Sequence, residues 1–474
     1  MIPLAIGGVA SGVGKTTVAI GLMGAFRRQG IRVAPFKTGP DYIDPGYHLA
    51  ATGVPSRNLD TWLTSAQVVQ EIYARGSAGA DLAVIEGAMG LFDGRAGAGD
   101  QCSTAEIARL TGAAVVLVVD CARLARSLAP VLAGFAAFDR RVNLAGAILN
   151  NVGSPTHARF LKDAAREAGV PLLGVLPRRR DISLDSRHLG LVQADEPVAA
   201  AGRRNGESVA EVIERIIDHV DGNVDLEAML GLSRGATAVV EPLPAATVAP
   251  AATVLPEPSR IRLAVARDEA FSFYYLDSLE ALEAAGAELI YFSPLHDPEL
   301  PACDGLYLGG GYPEMFAAGL EANTSMRVSV AAAAGDGLPV YAECGGLVYL
   351  CRELEVDGRR RAMAGALPLK ARMTGNRQAL GYVEAEARTD NLMFAHGERV
   401  RGHEFHWSAI DWREEHLAYD CFSSREPGGR VDGFSAGNLL ASYVHINFAG
   451  YPRAAERLIE ACAAVKGVSV RASL

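Results

Sequence analysis

Two groups of residues in this sequence have the types and spacing for chemistry. The first opens the chain. An apolar run at residues 2–6 leads into Gly7-Gly8-Val9-Ala10-Ser11-Gly12-Val13-Gly14-Lys15-Thr16-Thr17, and helix-forming residues 18–23 follow. Strand, glycine-rich loop and helix in that order make a phosphate cradle. Backbone N–H groups and the helix N-terminus face anionic oxygens, Lys15 adds a point charge, and the Thr16 hydroxyl can hold Mg²⁺. Gly12, Gly14, Lys15, Thr16 and Thr17 are the candidate contacts to ATP. Val9 stands where the usual pattern has its first glycine. The plainer alternative is a glycine turn capping a helix, with the lysine in solvent. The second group centres on Cys344. An apolar strand at 338–342 runs into Glu343-Cys344-Gly345-Gly346 and then into Leu347-Val348-Tyr349-Leu350. Small residues around a cysteine at a strand-to-helix turn make a nucleophile elbow, and the helix N-terminus is expected to lower the thiol pKa. A buried structural cysteine is the alternative, but it needs no Gly-Gly turn. The base for such a nucleophile is His445, at the end of an expected strand over 439–447.

Other polar residues fall at strand ends. A strand over 32–37 runs into Thr38-Gly39-Pro40-Asp41-Tyr42-Ile43-Asp44-Pro45-Gly46. Its two carboxylates lie where open α/β sheets bind ligands; an Asp-rich turn is the bland alternative. The strand at 81–86 ends on Glu86, and an acid beside a P-loop is the usual second Mg²⁺ anchor. The metal candidates are therefore Thr16, Glu86 and Asp41. The strand at 144–149 ends at Asn150, which either reads an adenine edge or is a turn residue. A basic run, Arg178 to Arg180, with Arg187 and His188 beyond it, either receives a polyanion or is a solvated surface. Gly309-Gly310-Gly311 closes a strand at 305–308, and the backbone of Gly310 and Gly311 offers donors to an oxyanion. Gly402-His403-Glu404-Phe405-His406 is a further cluster. Its two histidines are three apart in an expected strand, so they face opposite ways and are poor joint metal ligands.

The elements that must carry these residues alternate between strand and helix. The run at 113–120 is apolar without alternation, as a parallel strand covered on both faces requires. Helical patterns at 104–110, 124–138 and 156–167 intervene, so the first half reads as a doubly wound parallel sheet. Residues 236–259 hold Pro242, Pro244, Pro250, Pro256 and Pro258 and read as an extended linker. A second α/β unit follows, and it too is expected to be a doubly wound domain. The expected domains are 1–235, a linker at 236–259, and 260–474. The 474 residues carry a net charge of −10, which argues against a dedicated nucleic-acid binder. No secretory signal is visible, and no apolar run of ~18 residues suggests a membrane span. Seven scattered cysteines suit reduced thiols in a cytoplasmic protein. A homodimer is compatible with all of this.

Together these residues resemble a known family. The second half looks like a class I glutamine amidotransferase domain of the cobyric-acid type, with Cys344 as nucleophile and His445 as its base. Such glutaminases usually have Glu two residues after the histidine; here it is Asn447, which leaves the third member of the triad open. The first half looks like the dethiobiotin-synthetase-like P-loop fold. The combination resembles the cobyrinic acid a,c-diamide synthase family, on residues 36–45, 86–94, 187–191 and 402–406. Asp185-Ser186 replaces the family's Pro-Glu before the third of these.

The resemblance implies ATP-dependent activation of two acetate carboxylates of cobyrinic or hydrogenobyrinic acid as acyl phosphates. Ammonia released from L-glutamine in the second half then forms the amides, reaching them by a shielded path. It also implies that Asp41, Tyr42, Asp44, Arg187, His188 and His403 meet substrate. A nickel-sirohydrochlorin a,c-diamide synthase is the nearest alternative. A P-loop ATPase switch is a more distant one, since such switches carry a second lysine within the loop, and residues 8–14 hold none.

Overall fold

A computed structural model describes residues 3–179, 181–182, 186–187, 190–191, 208–235, 260–424, 426 and 428–467, with backbone only at 186–187, 190–191 and 234–235. The expected linker at 236–259 and His188 lie outside the described residues, as does Arg180. The chain forms two compact units, Met1–Thr61 with Ser65–Ala246, and Trp62–Thr64 with Thr247–Leu474.

In the first unit, Leu4–Gly8 (β1), Val33–Thr38 (β2), Arg57–Leu59 (β3), Leu82–Glu86 (β4), Ala114–Asp120 (β5), Asn143–Val152 (β6) and Leu172–Pro177 (β7) form one sheet in the order β3-β2-β4-β1-β5-β6-β7. Every pairing is parallel. β1, β2 and β4 are buried throughout, which explains their unbroken apolar runs. Ser65, Ser103 and Ser154 each cap a helix by accepting a backbone N–H. The helix expected from residue 124 begins at Leu128. Pro130 is the reason, since its ring clashes with the carbonyl four residues earlier and stops the helix from extending back. The strand at Arg57–Leu59 was not legible, because three residues set no period. Ser186–Arg187 (β8) and Gly190–Leu191 (β9) form a short antiparallel hairpin.

The second unit begins with parallel strands. Ile261–Ala266 (β10), Ala287–Phe292 (β11), Gly305–Leu308 (β12) and Val340–Glu343 (β13) pair in the order β11-β10-β12-β13. A side sheet holds Glu353–Val356 (β14), Arg359–Ala362 (β15), Lys370–Met373 (β16) and, from later in the chain, Ser408–Ile410 (β19). The main sheet is extended by Ala379–Ala387 (β17), Arg399–His406 (β18), Leu417–Phe422 (β20), Arg430–Ala436 (β21), Leu439–Ser442 (β22) and His445–Ile446 (β23), giving β13-β22-β21-β20-β17-β18-β23. β22 lies parallel to β13, and the pairings beyond it are antiparallel. The α/β class is as expected; the antiparallel half is the addition. The single strand expected over 439–447 is broken at residues 443–444, so His445 leaves β13's side of the sheet and pairs opposite His403 of β18.

Candidate active sites

In the first unit the strand register assembles the acidic site. Lys37 on β2 lies beside Glu86 on β4, so both side chains leave the same face. The Lys37 ammonium contacts Glu86 Oε1 at 3.1 Å, Asp44 Oδ2 at 2.6 Å and Asp41 Oδ2 at 3.9 Å. Thr16 donates its hydroxyl to Glu86 Oε1 at 2.5 Å, and His48 Nε2 meets Glu86 Oε2 at 2.6 Å. Burial by itself would raise the Glu86 carboxyl, but Lys37, His48 and Thr16 outweigh it and hold Glu86 well below the usual carboxylate range. Asp44 moves the other way: burial and the Asp41 and Glu86 charges push it well up, against the pull of Lys37. Burial opposes the Lys37 charge, yet three carboxylates keep it firmly protonated.

Lys15 opens the helix Lys15–Arg28, with Gly14 at its N-cap. Its ammonium donates to Ala10 O at 3.2 Å and Met89 O at 2.5 Å, folded back onto the backbone around the glycine loop. Burial and the Lys37 charge lower its pKa. Asn150 donates to Val13 O at 2.9 Å, so its amide braces the glycine loop. Asp41 Oδ1 accepts from the N–H groups of Ile43 and Asp44, at 2.8 and 2.9 Å, and shapes the turn that delivers Asp44. Tyr42 is half-buried on the same turn. Gly12 and Thr17 lie on the loop and the first helical turn. Arg178 is exposed, and Arg179 pairs with Asp181. Arg187 has its backbone on β8. Thr16 and Glu86 converge as hard oxygen donors, which fits Mg²⁺. Lys37 and His48 were missed as site residues. Their signal was position, one strand end and one helical turn from the acids they neutralise.

In the second unit Cys344 follows β13 with φ 46° and ψ −97°, a left-handed turn residue of the kind that strain places at active sites. Cys344 N–H donates to Ser442 O at 2.8 Å, joining the elbow to β22. A Cβ on Gly345 would lie 2.9 Å from Gly311 N, and one on Gly310 would lie 2.5 Å from His445 Cε1. These glycines let the elbow, the Gly309–Gly311 loop and the histidine close on one another. The Phe273 N–H donates to Gly310 O at 3.1 Å and the Tyr312 N–H to Ala270 O at 3.0 Å, which holds that loop in place.

The thiol pKa departs from expectation. Burial pushes the Cys344 thiol up, and Glu314, Glu343 and Glu404 push the same way, against the Gly345 N–H alone. The helix behind it, Gly345–Leu350, is only 6 residues long, too short to outweigh burial. The thiol therefore rests protonated and needs a base. His403 is buried on the His445 ring, with centroids 5.0 Å apart, and its Nδ1 meets Tyr275 OH at 3.3 Å. Burial, then the His445 charge, hold His403 neutral. His406 stacks on Tyr443 with centroids 3.6 Å apart, and burial lowers its pKa to about 3. The two histidines thus serve different neighbourhoods. All seven cysteines are free.

Residues 4–192 match the family model of the CobQ/CobB/MinD/ParA nucleotide binding domain, and residues 262–452 match that of the CobB/CobQ-like glutamine amidotransferase domain. The hydrogenobyrinate a,c-diamide synthase of Streptomyces coelicolor is 43% identical over 97% of both chains. The chain belongs to the a,c-diamide synthase family. The cobyrinate a,c-diamide synthase of Dehalococcoides mccartyi is 39% identical over 96% of this chain and 97% of its own. A third a,c-diamide synthase, the hydrogenobyrinate enzyme of Thermobifida fusca, is 43% identical over 97% and 96%. Family membership accounts for both sites: a nucleotide-binding unit and a glutamine amidotransferase unit on one chain. Among the described residues no helix is long and apolar enough to cross a membrane.

Proposed function

We propose that this protein uses ATP and glutamine to convert two carboxylates of cobyrinic or hydrogenobyrinic acid into amides. The observation that carries the proposal is near-full-length likeness to a,c-diamide synthases, combined with the two residue groups described above. A carboxylate does not react with ammonia directly, because oxide is a very poor leaving group. Transfer of the ATP γ-phosphoryl makes an acyl phosphate, and ammonia then displaces inorganic phosphate. Lys15 swings from its backbone partners onto the phosphates. Thr16 and Glu86, with Asp41 near, would hold Mg²⁺, which supplies charge neutralisation for the phosphoryl in flight. Lys37 keeps Glu86 ionised and Asp44 in place, while Asp44 and Tyr42 position the macrocycle.

In the second unit His445 takes the Cys344 proton and the sulfur attacks the glutamine carboxamide carbon. Backbone N–H groups of Gly310 and Gly311 receive the oxyanion. The imidazolium returns the proton as ammonia leaves, and water hydrolyses the thioester to glutamate.

The test is incubation with ATP, Mg²⁺, glutamine and either tetrapyrrole, followed by product mass. Two successive replacements of OH by NH₂ are expected; no amidation of either acid would overturn the proposal. Nickel-sirohydrochlorin in a parallel tube tests the neighbouring specificity. Cys344→Ala should lose glutamine-dependent amidation by about 10³-fold or more while ammonia still supports the reaction.

A further inference from the structure

The position two residues after His445 is occupied by Asn447, and the structure commits that side chain elsewhere. Its Oδ1 accepts from Ala449 N–H at 3.0 Å and from the Ser278 hydroxyl at 3.4 Å, capping the turn Phe448–Gly450. Another group must therefore orient the histidine. We infer that Glu343, the residue immediately before the nucleophile, is the positioning residue for His445 and completes the glutaminase triad. This rests on the assignment of Cys344 and His445 as the glutaminase pair.

Four observations place Glu343 in that role. Its side chain is 1% exposed and its Oε2 lies 3.4 Å from His445 Nδ1. Oε2 also accepts from Tyr307 OH at 3.1 Å, and Oε1 accepts from Tyr341 OH at 2.6 Å. The Ile446 N–H donates to Oε1 at 3.2 Å, so the carboxylate grips the backbone of the residue next to the histidine. Among the described residues no lysine or arginine lies within ion-pair distance of Glu343, so a protonated His445 is the cation that its buried charge can compensate.

The neighbours leave this role to Glu343. His403 stacks on His445 but stays neutral. Glu404, the other acid whose charge reaches the histidine, is held by Arg430. His406 is occupied by Tyr443 and Ser408. Burial first, then the Glu343 charge, push both Tyr307 and Tyr341 well above the usual phenol range, so they remain neutral donors. A carboxylate at Nδ1 fixes the tautomer that leaves Nε2 to take the thiol proton, and it stabilises the imidazolium that forms. Catalytic contacts of this kind are often long without substrate and tighten when it binds.

The test uses the full chain, with glutamate release and ammonia-supported amidation measured across pH. Glu343→Gln should lower the glutaminase kcat by about 10²–10⁴-fold with little change in KM for glutamine. The acid limb of its kcat/KM profile should move to lower pH, because the imidazolium loses its counter-charge. Ammonia-supported amidation should persist, showing that the chain is folded. Tyr307→Phe removes one donor from the carboxylate, leaves more charge facing Nδ1, and should move the same limb to higher pH. If Glu343→Gln does not fold, the Tyr307→Phe shift alone carries the test. An unmoved acid limb in whichever variants fold would overturn the inference. Failure of the unmutated chain to release glutamate would instead overturn the assignment of the pair.

Discussion

Replacing Lys37 by Met probes whether the first site is held by one buried cation. The Lys37 side chain is 5% exposed and sits among Asp44, Glu86 and Asp41. Met has a similar length and no charge, so the substitution leaves the carboxylates uncompensated. Breaking a buried ion pair costs ~3–5 kcal/mol. Asp44 can take up a proton in response, which favours the lower end, so about 3 kcal/mol is expected, or roughly a 100-fold change in an opening equilibrium. The chain has two units, so a single global unfolding energy is not the right measure. Hydrogen exchange of peptides covering Val33–Thr38 and Leu82–Glu86 reads local opening directly. At pH 8 the variant should lose about two orders of magnitude of protection there relative to the unmutated chain.

The sign with pH follows from the same contacts. Glu86 is depressed in the folded chain, so its contribution is present above its unfolded pKa and is lost on acidification through the folded value. Without Lys37 the Glu86 carboxyl loses the largest charge that holds it down, and the Asp44 carboxyl, already raised, rises further, so both cost stability when ionised and recover it when protonated. The deficit should therefore shrink between pH 8 and pH 5. A loss under about tenfold at pH 8, or one equal at both pH values, would refute the reasoning.

Gly310→Ala puts a methyl 2.5 Å from His445 Cε1, so the imidazole must shift; glutamine-dependent kcat should fall by about 10–100-fold while ammonia-supported amidation is unchanged. Gly24→Ala puts a methyl 2.3 Å from Ile217 Cδ1, between the helices Lys15–Arg28 and Val209–Asp221. A Cβ there would also lie 2.4 Å from Ile217 Cγ1 but 3.5 Å from its Cβ, so overpacking of about 1–3 kcal/mol should exceed the gain of about 1 kcal/mol in helix propensity. Hydrogen exchange of peptides covering Lys15–Arg28 should show the added methyl costing protection in the unmutated background and no longer doing so in an Ile217→Ala background. Burial, then Glu404, pushes the Asp432 carboxyl up to about 7 from an ordinary 3.8. An unfolded chain releases that proton earlier, so the unmutated protein loses stability as pH rises across this window and no further above it. Asp432→Asn should gain relative stability in denaturant titrations across the same window and then level off.

The glycine loop, Lys15, Thr16, the Asp41–Asp44 turn and the Cys344 elbow were all legible in the sequence because each is local. A few adjacent residues set a turn, and the turn sets what the side chain or backbone can bind. That the first sheet is parallel was legible for a similar reason, since long apolar strands alternating with helices favour parallel pairing; its strand order was not. The tertiary structure decided what no local pattern encodes. Register across β2 and β4 put Lys37 against Glu86, and the break at 443–444 carried His445 from β13's neighbour to the edge beside His403. Asn447 stands where a family pattern would look for an acid, while Glu343 reaches the histidine from a strand about a hundred residues earlier. Burial also reversed the expectation for the Cys344 thiol. Charge states depend on all the atoms within a few ångströms, and only the folded chain brings those atoms together.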